Sequence, residues 1–119
     1  MALYLVEKLV DGLLVLDVRG QITLGEETGA LRDKVKALVD AGHTRVIMDL
    51  AEVNYIDSAG LATLVQLFTS ARKQGGDVKL LHLTKRVRDL LQITRLSTVF
   101  EIFDTLEAAK QSFGPPPSS

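Results

Sequence analysis

The dipeptide Asp11-Gly12 stands between two short runs of β-forming residues, 3–10 and 13–19. An Asp-Gly pair in that setting is a strong hairpin signal, because the two-residue turn needs positions that tolerate positive φ. The chain thus commits its first twenty residues to an antiparallel pair, and the remaining residues must build on that sheet.

After the hairpin the pattern alternates between helix and strand periods. Thr23-Leu24-Gly25-Glu26 has the form of a capping box, with Thr23 as N-cap and Glu26 reaching back to it. Leu31, Val35 and Leu38 then share one helical face, and Gly42 is a natural stop. Residues 46–50 form a short apolar run, as expected of an interior strand. Val53-Asn54-Tyr55-Ile56 leads from it into Asp57-Ser58-Ala59-Gly60, and the next helix carries Leu61, Leu64, Val65, Phe68 and Ala71 at spacings of three and four. Gly75-Gly76 ends that helix, and 78–83 is another strand. Thr84 caps a shorter helix with Val87, Leu90 and Leu91 inward, 99–103 gives a last short strand, and Asp104 with Glu107 opens a final helix to Phe113. A hairpin followed by alternating strands and helices is an α/β fold, a mixed sheet with helices packed on it. Residues 1–113 make one domain, and 114–119, Gly-Pro-Pro-Pro-Ser-Ser, read as a disordered tail.

Composition narrows the function. Fourteen Lys and Arg against fifteen Asp and Glu give a net charge of −1, a poor footprint for nucleic acid. Cysteine is absent, so disulfides and thiolate metal sites are excluded. The two histidines are far apart and show no metal-ligand spacing, so neither metal nor cofactor is expected. The first residues show no basic leader ahead of an apolar core, and the apolar runs are too short to cross a bilayer. The expectation is a soluble, cytoplasmic protein without a membrane partner.

Ile56-Asp57-Ser58-Ala59-Gly60 looks superficially like a nucleophile elbow, but Ile56 replaces the first glycine and neither His43 nor His82 sits in a motif. A small hydrolase using Ser58 is the rival from another class, and generic ester turnover would reveal it. A phosphoaspartate receiver fails for want of an acidic pair after an early strand. Lys85, Arg86 and Arg88 form a basic cluster, a solvated helix face or a dock for an acidic partner. Asp57-Ser58 itself reads as a helix entrance, with Asp57 capping, Ser58 in the first turn and Gly60 permitting close packing. A phosphate on that serine would lie near free backbone N–H groups and the positive end of the helix dipole.

Asp57-Ser58-Ala59-Gly60-Leu61, preceded by Val46-Ile47-Met48-Asp49-Leu50, resembles the signature of the STAS family, the sulfate-transporter and anti-sigma-factor-antagonist domains. The likeness extends through Arg19-Gly20-Gln21-Ile22, Gly75-Gly76 and the Val87, Leu90, Leu91, Leu96 pattern. The resemblance implies a non-enzymatic switch. An anti-sigma factor that is also a serine kinase would phosphorylate Ser58 and so release the antagonist, and a PP2C-type phosphatase would restore it. Asp57, Ser58, Ala59, Gly60, Leu61 and Thr23 would form the partner surface. The alternative is a regulatory STAS subunit of a transporter or lipid-trafficking complex, often lacking such a serine. Two positions depart from the family pattern: Thr23 stands where members often have Asp, and Arg95 where many have Gly.

Overall fold

The computed structural model describes residues 3–23 and 25–113. Strands β1 (Leu3–Val10) and β2 (Leu13–Ile22) pair antiparallel across Asp11-Gly12, both with positive φ, as the hairpin signal requires. Strands β3 (Arg45–Ile56), β4 (Asp77–Leu81) and β5 (Ile102–Phe103) then add in parallel, giving the sheet order β1-β2-β3-β4-β5. Between them lie α1 (Glu26–Asp40), α2 (Ser58–Lys73), and α3 (Lys85–Ile93) with a 3-10 turn at Leu96–Thr98; α4 (Leu106–Ser112) closes the described chain. The mixed α/β sheet expected from the sequence is the one observed.

Each new strand is added on the same side of the last. Right-handed crossovers that always step in one direction put every connecting helix on one face of the sheet. The main core lies there: Leu14, Leu16 and Val18 of β2, with Val46, Met48 and Leu50 of β3, pack against Leu31, Val35 and Val39 of α1 and Leu64 and Leu67 of α2. Val87 and Leu91 of α3 join the same cluster. The opposite face is covered at one end by α4, over Leu13, Val15, Ile47 and Leu81. Under α4 the Lys79 side chain is almost fully buried, and its ammonium donates to the Ser112 Oγ at 2.9 Å and to the Ser112 carbonyl at 3.2 Å. The cation also pairs with the Glu101 carboxylate at 3.4 Å and sits 4.4 Å from the Phe113 ring centre, so this burial is compensated by an opposite charge, dipoles and an aromatic face.

The glycine stops act through backbone geometry. Gly42 and Gly75 take positive φ one residue past the caps of α1 and α2. His43 N–H then bonds the Leu38 carbonyl, and Gly76 N–H the Ala71 carbonyl, the 6→1 bond of a Schellman ending. Val87 and Leu91 are buried as expected, and Thr84 accepts from Val87 N–H at 3.4 Å.

Four expectations change. The Val46–Leu50 run is part of one twelve-residue strand, because β3 carries two extra residues relative to β2, between the Asp17/Asp49 and Arg19/Glu52 pairs and between Gly20/Val53 and Gln21/Tyr55. The last strand starts only at Ile102, and the last helix is capped by Thr105, which accepts from Ala108 N–H at 3.1 Å, and not by Asp104. The expected cap at Thr23 does not form either: β2 runs on to Ile22, and the N-cap of α1 is Gly25, at φ 123° and ψ −143°. That backbone conformation belongs to glycine, so the chain turns there and Thr23 is left short of the helix. Its expected partner, the Glu26 side chain, lies outside the described residues, as does the expected tail at 114–119.

Arg95, where the family pattern often has glycine, is left-handed at φ 63° just past the end of α3. A side chain in that region costs roughly 1–2 kcal/mol, partly offset by the greater chain entropy glycine loses on folding. Arg95→Gly should therefore stabilise the domain by about 0.5–1 kcal/mol. A urea midpoint that stays put or falls would show that the arginine side chain itself holds the turn.

Candidate functional site

In the parallel part of the sheet every strand hands over to its helix at the same edge. The β2–β3 register ends at Ile22 beside Ile56, so Thr23 and Asp57 leave neighbouring strands together. Asp57 N–H donates to the Ile22 carbonyl at 3.2 Å, which fixes the entrance of α2 against the end of β2. Asp57 is extended and acts as N-cap, its Oδ1 accepting from Gly60 N–H at 2.8 Å. The expected helix entrance is thus the observed one.

Ser58 is the first residue of α2 and is exposed, and Ala59 is half-buried. Gly60 and Leu61 are buried, so their part is packing, with little surface to offer a partner. A Cβ on Gly60 would lie 2.1 Å from the Ile22 carbonyl oxygen, well inside any real contact. The glycine is what lets α2 start so close to β2. The first N–H groups of a helix have no carbonyl ahead of them in the helix, so the Ser58 hydroxyl stands where added negative charge is favoured, by about 0.3–1 kcal/mol at an exposed position. Asp57→Ala should remove the cap and cost about 0.5–2 kcal/mol, while Asp57→Asn should retain most of it. Equal denaturation midpoints for the two variants would show that the Gly60 N–H bond contributes nothing.

Beside this entrance runs a groove of about 590 Å³. Tyr55 and Ile56 at the end of β3 form one wall, and Lys85, Arg86, Asp89, Leu90 and Ile93 of α3 the other. The Arg86 guanidinium lies 5.7 Å from the Tyr55 ring centre. Arg88, grouped with Lys85 and Arg86 in the sequence, is not in this lining; it pairs with Asp104 at 3.4 Å. Tyr55 and Ile93 escaped the sequence reading, and the signal available was an isoleucine on the polar side of a strongly amphipathic helix. His82 places Nδ1 3.2 Å from Asp49 Oδ1, and no histidine hydrogen-bonds Ser58 among the described residues. Nor, among those residues, does any group of three or more His, Asp or Glu come together as metal ligands would, and no described helix is long and apolar enough to cross a membrane.

Comparison with known proteins meets this geometry at the same point. The family model described as the STAS domain matches residues 4–109, which takes in the sheet apart from Leu3, α1 to α3 and the first four residues of α4. The chain belongs to the STAS domain family. The STAS domain is 30% identical over 104 residues to BtrV of Bordetella bronchiseptica, a candidate anti-sigma factor antagonist, covering 87% of this chain and 89% of that one. To the anti-sigma-B factor antagonist of Bacillus subtilis it is 37% identical over 81 residues, 68% of this chain and 73% of the relative. Among solved structures it shares the fold of SpoIIAA of Bacillus in its phosphorylated form, with a TM-score of 0.71 at 20% identity, covering 93% and 98% of the two chains. The unphosphorylated form of the antagonist SpoIIAA superposes equally well, at 0.72 and 19% identity, over 95% and 99%. The STAS domain thus presents Asp57, Ser58, Ala59 and the neighbouring Thr23 together on one edge of the sheet, with Gly60 and Leu61 beneath them.

Proposed function

We propose that this STAS domain is an anti-sigma-factor antagonist whose grip on its partner is released by phosphorylation of Ser58. The observation that carries the reading is an exposed serine at the first position of a sixteen-residue helix, held there by the Asp57 cap and the Gly60–Ile22 contact. A kinase can reach such a hydroxyl without unfolding anything. The product phosphate, at about −1.5 to −2 charges, is tolerated by the helix end beneath it, so the modification alters the surface and spares the fold.

The names of the relatives support the partner class, since BtrV and the Bacillus subtilis protein are described as antagonists of anti-sigma factors. SpoIIAA, with the same fold, occurs in phosphorylated and unphosphorylated forms. In this scheme the chain catalyses nothing. It is substrate and ligand for an anti-sigma factor with serine kinase activity, and a PP2C-type phosphatase resets it in the cytoplasm. Thr23, set beside Asp57 by the strand register, belongs to the recognised edge even though it caps no helix.

Incubation with the cognate kinase and ATP, followed by peptide mass spectrometry, should place one phosphate on Ser58, and Ser58→Ala should abolish it. Phosphate mainly on another residue would remove the basis of the proposal.

A further inference from the structure

We infer that the groove between the end of β3 and α3 is the second half of the partner surface, taking a segment of the anti-sigma factor that carries an apolar side chain flanked by carboxylates. The inference rests on the antagonist reading and adds where the partner's grip lies and what chemistry it has. The groove's lining ends at Ile56, two residues before Ser58, so groove and serine lie at the same strand-to-helix junction. Its walls show apolar side chains to solvent: Ile93 is 79% exposed and Tyr55 39%. An isoleucine so exposed beside a tyrosine on a concave surface is the kind of place a partner side chain buries itself.

The charge of the lining selects the sign of the occupant. Lys85 and Arg86 face Asp89 alone within it, which leaves one positive charge in excess, and Arg86 stacks toward Tyr55, where its charge stays at the rim. An acidic segment is attracted to that rim. It is also the segment that a new phosphate on Ser58, at the groove's end, would repel; a basic one would be drawn in. The groove's charge and the release step therefore require the same partner chemistry.

The test measures the affinity of the purified anti-sigma factor for four variants of the full chain, at low and high salt. Lys85→Glu with Arg86→Glu, and separately Ile93→Ser, should each weaken binding by about tenfold or more. Both change exposed side chains, and unchanged thermal melting would show that the fold is intact. The double reversal should also flatten the salt dependence. Lys36→Glu with Lys73→Glu, in a second basic groove between α1 and α2, should bind as wild type and so exclude a general effect of net charge. Wild-type affinity for both groove variants, while Ser58→Asp binds weakly, would overturn the groove and leave the switch standing. Tighter binding by the double reversal would mean a basic occupant and overturn the inference as well. Wild-type affinity for Ser58→Asp, with the groove variants weakened, would sink the switch and keep the groove.

Discussion

Gly60→Ala should destabilise the domain by about 3 kcal/mol, at the upper end of what one added methyl costs in a tight contact. The added carbon meets the Ile22 carbonyl oxygen at 2.1 Å and the Ile22 Cγ2 at 2.8 Å. The first contact is with a backbone oxygen, and no side-chain torsion moves a Cβ, so no rotation relieves it. Either α2 retreats from β2 and breaks the Asp57 N–H bond to the same carbonyl, or the end of β2 shifts and disturbs its pairing with β3. Both routes lose native interactions in the main core. Gly29→Ala is the control: in α1 an added Cβ meets only the tip of Arg32, at 4.0 Å, and the change should stabilise by about 0.5–1 kcal/mol. Denaturant midpoints that move the same way for both glycines would contradict this account of the α2 entrance. The effect reaches function as well, because a displaced α2 carries Ser58 with it.

The hairpin, the order of elements and the entrance to α2 were legible in the sequence because each rests on local chemistry. Asp11, Gly12 and Gly75 mark positions of positive φ, and Asp57 is placed three residues before the N–H it caps. The full length of β3 was not legible. Its core-facing residues are Val46, Met48, Leu50, Val53 and Ile56, so the period slips from two to three where the extra residues enter. Alternation is the sign by which a half-buried strand is read, and a bulge removes it. Thr23 misled for the converse reason: a correct local motif, Thr-x-x-Glu, lost to the pairing of β2 with β3 and to a glycine that turns the chain two residues later. Ser58 and its neighbours were readable from one contiguous segment. The groove was not, since its walls come from β3 and α3, far apart in the chain, and are brought together only by the crossover.

Phosphorylation of Ser58 should weaken binding to the anti-sigma factor by about a hundredfold, from like-charge repulsion and the cost of desolvating a phosphate under a partner. Part of that cost is structural: Asp57 occupies the adjacent position, so the phosphate adds to an existing carboxylate at the surface a partner must cover. The helix end below tolerates the charge, so the loss falls on the complex and the free domain keeps its stability. The decisive measurement is the affinity of one purified anti-sigma factor for the unmodified chain and for the same chain stoichiometrically phosphorylated on Ser58, with thermal melting of both forms alongside. A fall in affinity of about a hundredfold with nearly unchanged melting is the predicted result. Equal affinities for the two forms, or a loss of binding that tracks unfolding, would contradict the switch.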